Sequence, residues 1–582
     1  MALRPSSVPL HVPLPAPPVS SLPESAAASA LVAELLDFVA SCRLDYAIAL
    51  VAESESASPP SVEGECALRT DVLEDSQEDF ECLAAAIPRF TSMLLAHEGD
   101  PDAPDIPTPC SYADAITGPY SSQWQAAMDA EMASWKSTGT YVEEVPPPRA
   151  NIVDGMWIFR RQGVDYFHTF SPTPKMTTLQ VLLHVAAQRD YELHSLDFST
   201  AFLQGSLHEE IWLRRPPGFT GSFHAGTQWS LQRPVYGLCQ APREWHDTLK
   251  TTLAALGFAP STADPTLFLR TDTSLPPFFV LMYVDDLVFA TADTEAPTLV
   301  KSELQNRHTC TDLGELRSYL GLHITRDRAR RTITLIQSHM LHQFLQRFEP
   351  SGPYPELVGC LMYLMTCTRR DLAYPLSLLA RYVAPGRHRK VHWDAVKRVL
   401  RYLCSTSGMG LVLGGRGLVV LTGHAAASWV DDSATQRSSQ GYTFSLGSGS
   451  VSWRATRSSS VLRSSCEAEI YAGAMAAQEL RWLTYLQTDL GEQPRSPPVL
   501  YVDSKAMIAL CQEHRLEHRT KHIALRYFLA RELQQRGQLR LAYVATRANT
   551  ADIFTKALPP GDHQRFSTVL GLVPTLPHLL SA

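Results

Sequence analysis

Apolar residues recur at helical spacing where the chain first becomes rich in large side chains. Trp124, Met128, Met132 and Trp135 fall three or four positions apart, which places them on one face of an α-helix. Three prolines at 146–148 then predict a loop. We therefore expect folded structure to begin near the start of this helix.

The C-terminal half combines helical and strand patterns. Residues 418–429 and 442–453 are typical of strands, and residues 467–490 are typical of one long helix. Before them, residues 392–403 predict a helix with a basic polar side. This order of elements predicts a second folded unit of the α/β type.

A pair of acids interrupts the most apolar part of the chain. The runs Phe278–Tyr283 and Leu287–Ala290 flank a Val-Asp-Asp turn at 284–286, which predicts a β-hairpin with carboxylates at its tip. Asp197 ends another apolar stretch. Aspartate is also common in turns and at helix starts, so each acid alone has a structural explanation. Brought together, they would hold two Mg²⁺ ions about 4 Å apart, as in polymerases.

Composition indicates a globular protein preceded by an N-terminal leader of different composition. Apolar residues make up 45% and charged residues 19% of the 582 positions. Residues 1–28 are rich in Pro, Ser and Ala and residues 54–79 in Ser and acids, so we expect a mostly disordered leader with one helix at 31–51. No signal peptide, membrane span or Cys-x-x-Cys pair is evident. We expect a cytoplasmic or nuclear protein with reduced thiols and no membrane partner.

Charge is divided unevenly along the chain. Residues 1–110 hold 18 acidic side chains against four arginines and no lysine, whereas the remainder holds 47 basic and 41 acidic side chains. The net charge of −8 therefore conceals a mildly basic body. Such a body is compatible with a partner that presents a phosphate backbone.

Five ordered motifs resemble the reverse transcriptase of copia-type long-terminal-repeat retrotransposons. They are Asp197–Gly205 (DFSTAFLQG), Pro216–Phe219 (PPGF), Tyr236–Trp245 (YGLCQAPREW), Tyr283–Asp286 (YVDD) and Leu313–Gly321 (LGELRSYLG). The resemblance covers residues 166–326 and implies an α+β fold, a right-hand polymerase with palm and fingers. It implies RNA-directed DNA synthesis from an RNA template, a DNA primer and deoxynucleoside triphosphates.

The resemblance also implies roles for particular residues. Asp197 and Asp285 are the implied metal ligands, with Asp286 as their neighbour in the catalytic set. The implied cofactor is Mg²⁺ or Mn²⁺, since hard cations prefer carboxylate oxygens. Phe202 matches the aromatic steric gate that excludes a ribose 2′-hydroxyl, although a core aromatic also explains it. Gln240 is implied to lie beside the incoming nucleotide.

From residue 350 onward the chain resembles the connection segment and ribonuclease H domain of the same family. The motifs are Gly359–Leu364 (GCLMYL), Thr368–Asp371 (TRRD), Ser464–Glu469 (SSCEAE), Tyr501–Ser504 (YVDS), Lys521–Ile523 (KHI) and Ala551–Lys556 (ADIFTK). Glu469, Asp503 and Asp552 are implied to be three of four metal-binding carboxylates, although a surface or capping role explains each one alone. Ala426 stands where the family has the fourth, so we expect binding of an RNA–DNA hybrid without cleavage.

Other positions depart from the family as well. Residues 160–162 alone separate the strand around 157–159 from the segment that follows the fingers, too few residues for a fingers hairpin. Gln180, Cys239 and Arg370 stand where the family has Arg, Lys and Pro. Zinc-knuckle, protease and integrase motifs are not recognisable. We therefore expect a partial, processed or degenerate copy.

These patterns predict five segments and two alternative functions. The segments are a leader at 1–110, truncated fingers and palm at 111–348, a thumb or connection segment at 349–415, a ribonuclease H-like domain at 416–560 and a tail at 561–582. Lys397, Arg398 and Arg401 lie on a basic helix that either is a solvated face or follows a hybrid backbone. The chain is either a polymerase with intact palm chemistry or a non-catalytic relic that binds hybrid, and its oligomeric state is left open.

Overall fold

The fold combines helices with four β-sheets. The structure is a computed structural model that describes residues 7–12, 112–148, 150, 152–159, 174–198, 200–215, 226–235, 238, 241–338, 340–341, 354–384, 386–432, 434–512 and 529–575. The predicted leader helix at 31–51 lies outside these ranges. No helix within them is both long enough and apolar enough to cross a membrane. The mixture of helix and sheet confirms the predicted α+β class.

The described strands are distributed over the whole chain. They are β1 Ser7–Val12, β2 Tyr141–Glu144, β3 Ile152–Phe159, β4 Glu192–Phe198, β5 Trp212–Arg214, β6 Gln228–Leu231, β7 Phe258–Pro260, β8 Leu267–Arg270, β9 Phe278–Tyr283, β10 Asp286–Thr291, β11 Cys310–Glu315, β12 Ser318–Tyr319, β13 Leu322–Asp327, β14 Thr332–Ile336, β15 Met409–Gly414, β16 Thr422–Asp432, β17 Arg437–Ser445, β18 Ser450–Arg457, β19 Val499–Val502, β20 Arg540–Tyr543 and β21 Leu572–Pro574.

The described helices connect and cover these strands. The α-helices are α1 Tyr112–Thr117, α2 Ser121–Ser137, α3 Met176–Arg189, α4 Ala241–Ala255, α5 Ala296–Arg307, α6 Tyr354–Cys367, α7 Ala373–Leu379, α8 Lys390–Ser405, α9 Ser465–Asp489, α10 Lys505–Gln512, α11 Leu529–Gln535 and α12 Pro560–Val569. Short 3₁₀ helices cover Ala201–Gln204, Arg370–Leu372, Ala380–Tyr382, Thr546–Ala548 and Thr550–Phe554.

The N-terminal sheet has the strand order β1-β3-β5-β6-β2. Helix α2 buries the four large side chains that predicted it, Trp124, Met128, Met132 and Trp135. Strand β1 lies in the segment that we expected to be mostly disordered, and it pairs in parallel with β3. The leader therefore contributes at least one strand to the fold.

The central sheet has the strand order β11-β4-β10-β9-β8-β7. Every residue of β9 and β10 is buried, because both faces of this part of the sheet are covered. Covered strands have continuous apolar sequences instead of alternating ones. This explains the two apolar runs that predicted the hairpin, which the antiparallel pairing of β9 with β10 confirms.

A third sheet combines strands from segments that we predicted to be separate. Its order is β12-β13-β14-β15-β21, so it combines strands from both sides of the expected boundary at residue 348. Helix α12, which begins at Pro560, and strand β21 cover most of the segment 561–582 that we predicted to be a C-terminal tail. This segment is structured up to residue 575, and Leu572 is fully buried and pairs with Leu411 of β15. We call this the bridging sheet.

The C-terminal sheet has the order β18-β17-β16-β19-β20. Three antiparallel strands are followed by two parallel ones, and α9 packs across β16 and β17. Residues 442–453, which predicted one strand, instead span two strands and a turn. Gly447 and Gly449 in this turn have φ angles of +134° and +71°, which glycine adopts without the strain of a side chain.

Polar contacts join the C-terminal unit to the central sheet. Arg189 at the end of α3 donates two hydrogen bonds, of 2.5 and 2.6 Å, to the carboxylate of Glu492. Asp489 at the end of α9 accepts from the Ser261 hydroxyl at 2.5 Å and the Thr262 amide at 3.0 Å. The Trp482 indole donates to the Ala263 carbonyl at 2.8 Å. These contacts anchor the end of α9 to the loop between β7 and β8.

Two consecutive arginines are buried, and they differ in how completely their guanidinium groups are paired. The guanidinium of Arg369 pairs with Asp371 at 2.8 Å. Arg370 is 0% exposed and donates from Nη1 to the Ser450 carbonyl, but its Nε and Nη2 atoms have no hydrogen-bond partner. Burial lowers the pKa of Arg370 to about 9. Arg370 is therefore a buried cation whose hydrogen-bonding groups are only partly paired, although its guanidinium lies over the Trp453 ring at 4.5 Å from the centroid.

Replacing the two arginines should change stability in opposite directions. Arg370→Met should raise the urea midpoint by an amount equivalent to about 1–2 kcal/mol, because an apolar chain of similar volume removes an incompletely bonded charge. Arg369→Met should lower it by about 3 kcal/mol, because Asp371 would be left buried without its cation. Equal losses in both variants would contradict this account.

Candidate active sites

The central sheet brings the predicted catalytic aspartates together. Strand β10 pairs with β4 in a register that sets Asp286 opposite Asp197, and Asp285 occupies the turn immediately before β10. A backbone hydrogen bond of 2.8 Å from Phe198 to the Asp285 carbonyl closes the end of this pairing. Asp286 is buried, and Asp197 and Asp285 are half-buried. All three carboxylates thus belong to one end of two adjacent strands.

These carboxylates are poorly compensated. Burial and the charge of Asp197 raise the pKa of Asp285 to about 7. Burial raises the pKa of Asp286 well above its usual value, and repulsion from Asp285 and Asp197 adds to the effect. The pKa of Asp197 is also raised by burial. A cluster of this kind is stabilised by any cation that its oxygens can approach.

The cluster fits a cation that protein oxygens bind only in part. Among the described residues, no group of three or more His, Cys, Asp or Glu side chains is arranged to hold a metal ion by itself. Mg²⁺ usually takes one or two carboxylates and completes its octahedron with waters and substrate phosphates. Two aspartates at the end of two adjacent strands match that requirement, whereas a structural metal site would need more protein ligands.

The turn that carries Asp285 is strained. Val284 is buried and has a φ angle of +49°, a region that β-branched residues rarely occupy. Such strain costs about 1–3 kcal/mol and persists only where the surroundings impose it. The position of Asp285 is therefore fixed by contacts beyond the hairpin itself.

The predicted nucleotide-contacting residues are placed less clearly. Phe202 lies in the 3₁₀ helix Ala201–Gln204 and is 2% exposed within the main core, so its role as a steric gate stays a prediction. Gln240 and Cys239 lie outside the described residues. Gln180 is buried in α3 and donates to the Cys367 carbonyl at 2.9 Å. Gln180, at the position where the family has arginine, therefore joins α3 to the end of α6.

A second carboxylate cluster lies on the C-terminal sheet. Parallel pairing of Ala425 with Val502 sets Ala426 beside Asp503, the residue that follows β19. Glu469 on α9 accepts a 3.2 Å hydrogen bond from the Ala427 amide through one oxygen, and its other oxygen is buried without a partner. Burial, followed by the charge of Asp503, raises the pKa of Glu469 to about 8.

Asp552 adds a third acid to this cluster from a short element. It lies in the 3₁₀ helix Thr550–Phe554, which precedes the last described helix. Its carboxylate is 2.8 Å from the ammonium of Lys556, one helical turn later. Burial raises the pKa of Asp552, and the charge of Asp503 acts in the same direction.

Ala426 leaves a gap in the chemistry of the cluster. The residue is 1% exposed on β16, and its methyl group can bind no cation. The next acids along the strand are engaged elsewhere. Asp431 accepts from the amide and hydroxyl of Ser439, both at 2.6 Å, and Asp432 pairs with Arg381 at 3.0 Å and Arg457 at 3.2 Å.

The predicted basic helix is present and amphipathic. Helix α8 buries Val396, Val399 and Leu403 and leaves Arg398 and Arg401 exposed. Lys397 is half-buried on the same helix. This helix therefore presents a positive surface to solvent, as a contact with phosphates would require.

Known proteins resemble this chain over most of its length. A family model described as reverse transcriptase (RNA-dependent DNA polymerase) matches residues 150–361. The retrovirus-related Pol polyprotein from transposon RE2 of Arabidopsis thaliana is 32% identical over 513 residues. That from transposon TNT 1-94 of Nicotiana tabacum is 30% identical over 520 residues, and each match covers 80% of this chain.

The chain belongs to the copia-type retrotransposon Pol family. This Pol chain spans about a third of the length of these relatives, 35% of the first and 39% of the second. A solved structure, the foamy viral protease-reverse transcriptase in complex with RNA/DNA hybrid, aligns with a TM-score of 0.44 at 12% identity. That alignment covers 87% of this Pol chain and 66% of the other chain.

Sequence reasoning missed two side chains beside the clusters. Lys556 pairs with Asp552, and the spacing of four residues between them could have indicated this ion pair. Trp245 lies in the motif at 236–245 and donates a hydrogen bond to Val284 in the strained turn. Its partner is a backbone carbonyl, for which no sequence pattern exists.

The pKa of Glu469 predicts how stability depends on pH. A carboxyl whose folded pKa is raised from 4.5 to about 8 destabilises the fold increasingly as pH rises through that range. Glu469→Gln should therefore match the parent near pH 4.5 and exceed it by about 1–2 kcal/mol at pH 9, after a discount for partial exposure. Thermal midpoints of both proteins, measured without divalent cations across this range, test the prediction.

Asp432→Asn supplies a control of opposite sign. Hydrogen bonds and Arg457 lower the pKa of Asp432 to about 2 despite burial, so its stabilising effect is complete above pH 4. This variant should be less stable than the parent by the same amount at pH 6 and pH 9. A difference between parent and Glu469→Gln that stays flat from pH 4.5 to 9 would show that Glu469 is not destabilised in the folded protein.

Proposed function

We propose that this chain is the RNA-directed DNA polymerase region of a copia-type retrotransposon, joined to a ribonuclease H-like domain that has lost cleavage. The observation that carries the proposal is the register of β4 against β10. It pairs Asp197 with Asp286 and leaves Asp285 at the adjoining turn. Family membership supports the reaction class, and the uncompensated charge of the cluster supports a cation-dependent reaction.

Asp197 and Asp285 are the residues that would hold Mg²⁺ or Mn²⁺. When bound, the cation supplies positive charge that lowers the pKa of the primer 3′-hydroxyl and stabilises the leaving pyrophosphate. Asp286 contributes differently, since its place in β10 holds the hairpin against β4. Because the pKa of Asp285 is raised to about 7, cation binding would release a proton from the fraction of molecules in which this carboxyl is protonated.

Specificity for deoxynucleotides is assigned to Phe202 and Gln240. Phe202 follows β4 by four residues on a short 3₁₀ helix, close along the chain to Asp197. A rigid aromatic ring there would clash with a ribose 2′-hydroxyl. Gln240 would donate or accept a hydrogen bond beside the nucleotide without adding charge.

The partners are an RNA template, a DNA primer and their hybrid. Helix α8 supports this assignment because its exposed Arg398 and Arg401 would contact phosphates of a duplex. Contacts of this kind are insensitive to sequence, as a polymerase that copies a whole transcript needs.

In the ribonuclease H-like domain, Glu469, Asp503 and Asp552 remain and Ala426 does not supply the fourth carboxylate. Hybrid cleavage needs two cations held together, and the missing ligand removes one of the groups that would hold them. Lys556 partly neutralises the remaining acids through Asp552. We infer that this domain binds hybrid and does not cut it.

The second candidate function is a relic that binds hybrid without catalysis in either half. Arg370 favours it, because a buried and incompletely bonded cation is a lesion that selection for stability would remove. Ala426 favours it for the ribonuclease H half. The two candidates differ in one measurable respect, the synthesis of DNA.

Asp285→Asn should abolish primer extension on an RNA template. The amide cannot carry the negative charge that holds the cation, so incorporation should fall to background. Affinity for the primer–template duplex should change by less than about twofold, since phosphate contacts lie elsewhere. Asp272→Asn, the same substitution in the exposed turn before β9, is the matched control and should extend at the parental rate. Extension by Asp285→Asn at the parental rate would refute the assignment.

Ala426→Asp should restore hybrid cleavage if the rest of the ribonuclease H site is intact. The new carboxylate would lie beside Asp503 on the neighbouring strand. Cleavage of a labelled hybrid should be at background in the parent, should appear in Ala426→Asp, and should disappear again when Glu469→Gln is added. Cleavage by the unmodified chain that depends on Glu469 would mean that the first ligand lies elsewhere.

A further inference from the structure

One buried tryptophan contacts both the strand that ends near Asp197 and the turn that carries Asp285. Trp245 is 0% exposed on α4, and its indole Nε1 donates a 2.5 Å hydrogen bond to the carbonyl of Val284. Val284 is the residue with the strained φ angle, and Asp285 follows it directly. The bond therefore fixes the peptide that leads into Asp285.

The ring of the same tryptophan packs on the residue that follows the other aspartate. It lies edge to face on Phe198, with centroids 5.0 Å apart and planes at 72°. Phe198 follows Asp197 in β4, and its backbone N–H donates to the Asp285 carbonyl. Both rings also meet His308, at centroid distances of 5.5 and 5.8 Å. One side chain thus packs on Phe198, the residue after Asp197, and donates a hydrogen bond to Val284, the residue before Asp285.

The hydrogen bond has a specific physical task. A β-branched residue at positive φ leaves that conformation unless its surroundings over-determine it. The Val284 carbonyl is also in a buried turn, where an unpaired oxygen is costly. The indole N–H removes both difficulties, because it pairs the oxygen only when the Val284 peptide keeps its present orientation.

We propose that Trp245 is a positioning residue of the polymerase site, which holds Asp285 in the turn beside Asp197 through the Val284 carbonyl. The inference rests on the proposed polymerase function for its consequence and on geometry for its contact. Trp245 is fully buried, so it is assigned no direct contact with substrate or cation. Its effect on synthesis is transmitted through the orientation of one peptide.

The test is to remove the indole N–H and keep the ring. Trp245→Phe should make amide hydrogens of residues 281–290 exchange about 10-fold faster than in the parent. The variant has one buried hydrogen bond fewer to break when the turn opens. Exchange in the C-terminal sheet should stay at the parental rate. The Mg²⁺ concentration for half-maximal primer extension should rise several-fold, while affinity for primer–template is unchanged.

Trp482→Phe is the matched control. It also removes an indole N–H that donates to a backbone carbonyl, that of Ala263 at 2.8 Å in the loop between β7 and β8. This variant should leave both hairpin exchange and the Mg²⁺ requirement at parental values. Equal acceleration of hairpin exchange in the two variants would assign the effect to general loosening and overturn the proposal.

Val284→Gly separates positioning from packing. Glycine adopts positive φ without strain, so the turn should need the indole less. In a double-mutant cycle, Trp245→Phe should accelerate hairpin exchange less in the Val284→Gly background than in the parent. Strictly additive effects would contradict the assigned role.

Two further outcomes are decisive. If Trp245→Phe does not fold, 3-benzothienylalanine at position 245 replaces the N–H by sulfur in a ring of nearly the same shape; a chain that still fails to fold would overturn the proposal by assigning Trp245 to folding. If the parent makes no DNA under any condition, the proposed function fails, and hairpin exchange still decides whether Trp245 holds the turn.

Discussion

The arrangement of the palm depends on forcing like charges together. Asp197, Asp285 and Asp286 lose hydration in a mostly buried corner, which raises the pKa of each, and repulsion raises the pKa of Asp285 and Asp286 further. Two features hold them in place, the register of β10 against β4 and the strained backbone of Val284. The register places the fully buried strand β10 against β4, and the Val284 carbonyl is paired by the indole of Trp245. The core of the central sheet therefore stabilises a site that is itself destabilising, and a bound cation would relieve the repulsion.

The C-terminal unit repeats this principle with one member missing. Glu469, Asp503 and Asp552 are drawn together by α9, β19 and a 3₁₀ helix, and the pKa values of Glu469 and Asp552 are raised. In the proposed site, Ala426 stands next to Asp503 where a fourth carboxylate is expected, and its methyl group adds no charge to the cluster. The scaffold around this position includes the contacts that anchor the end of α9 through Asp489 and Glu492. The proposed loss of cleavage is therefore compatible with retention of the fold.

The sequence predicted the elements whose patterns are local. The hairpin at Asp285 and helices α2 and α8 followed from periodicity, and family motifs identified the carboxylates. It failed where long-range pairing decides the structure. Leu572 is part of a strand only because its segment pairs with β15. Residues 442–453 turn at Gly447 and Gly449, which have positive φ angles. The hydrogen bond of Trp245 to a backbone carbonyl, and the missing partners of Arg370, depend on where distant segments lie. No single-chain pattern contains that information.

In the proposed polymerase, the palm retains its chemistry although the fingers, whose residues 160–162 lie outside the described ranges, are shortened. A triphosphate that loses one or two charge-assisted contacts should bind roughly 10- to 100-fold more weakly for each. Extension of oligo(dT) on poly(rA), followed over a wide range of dTTP with Mg²⁺ or Mn²⁺, measures this directly. The account predicts cation-dependent DNA synthesis with a very high KM for dTTP. No product at any dTTP concentration, from a folded protein shown to bind the duplex, would contradict it.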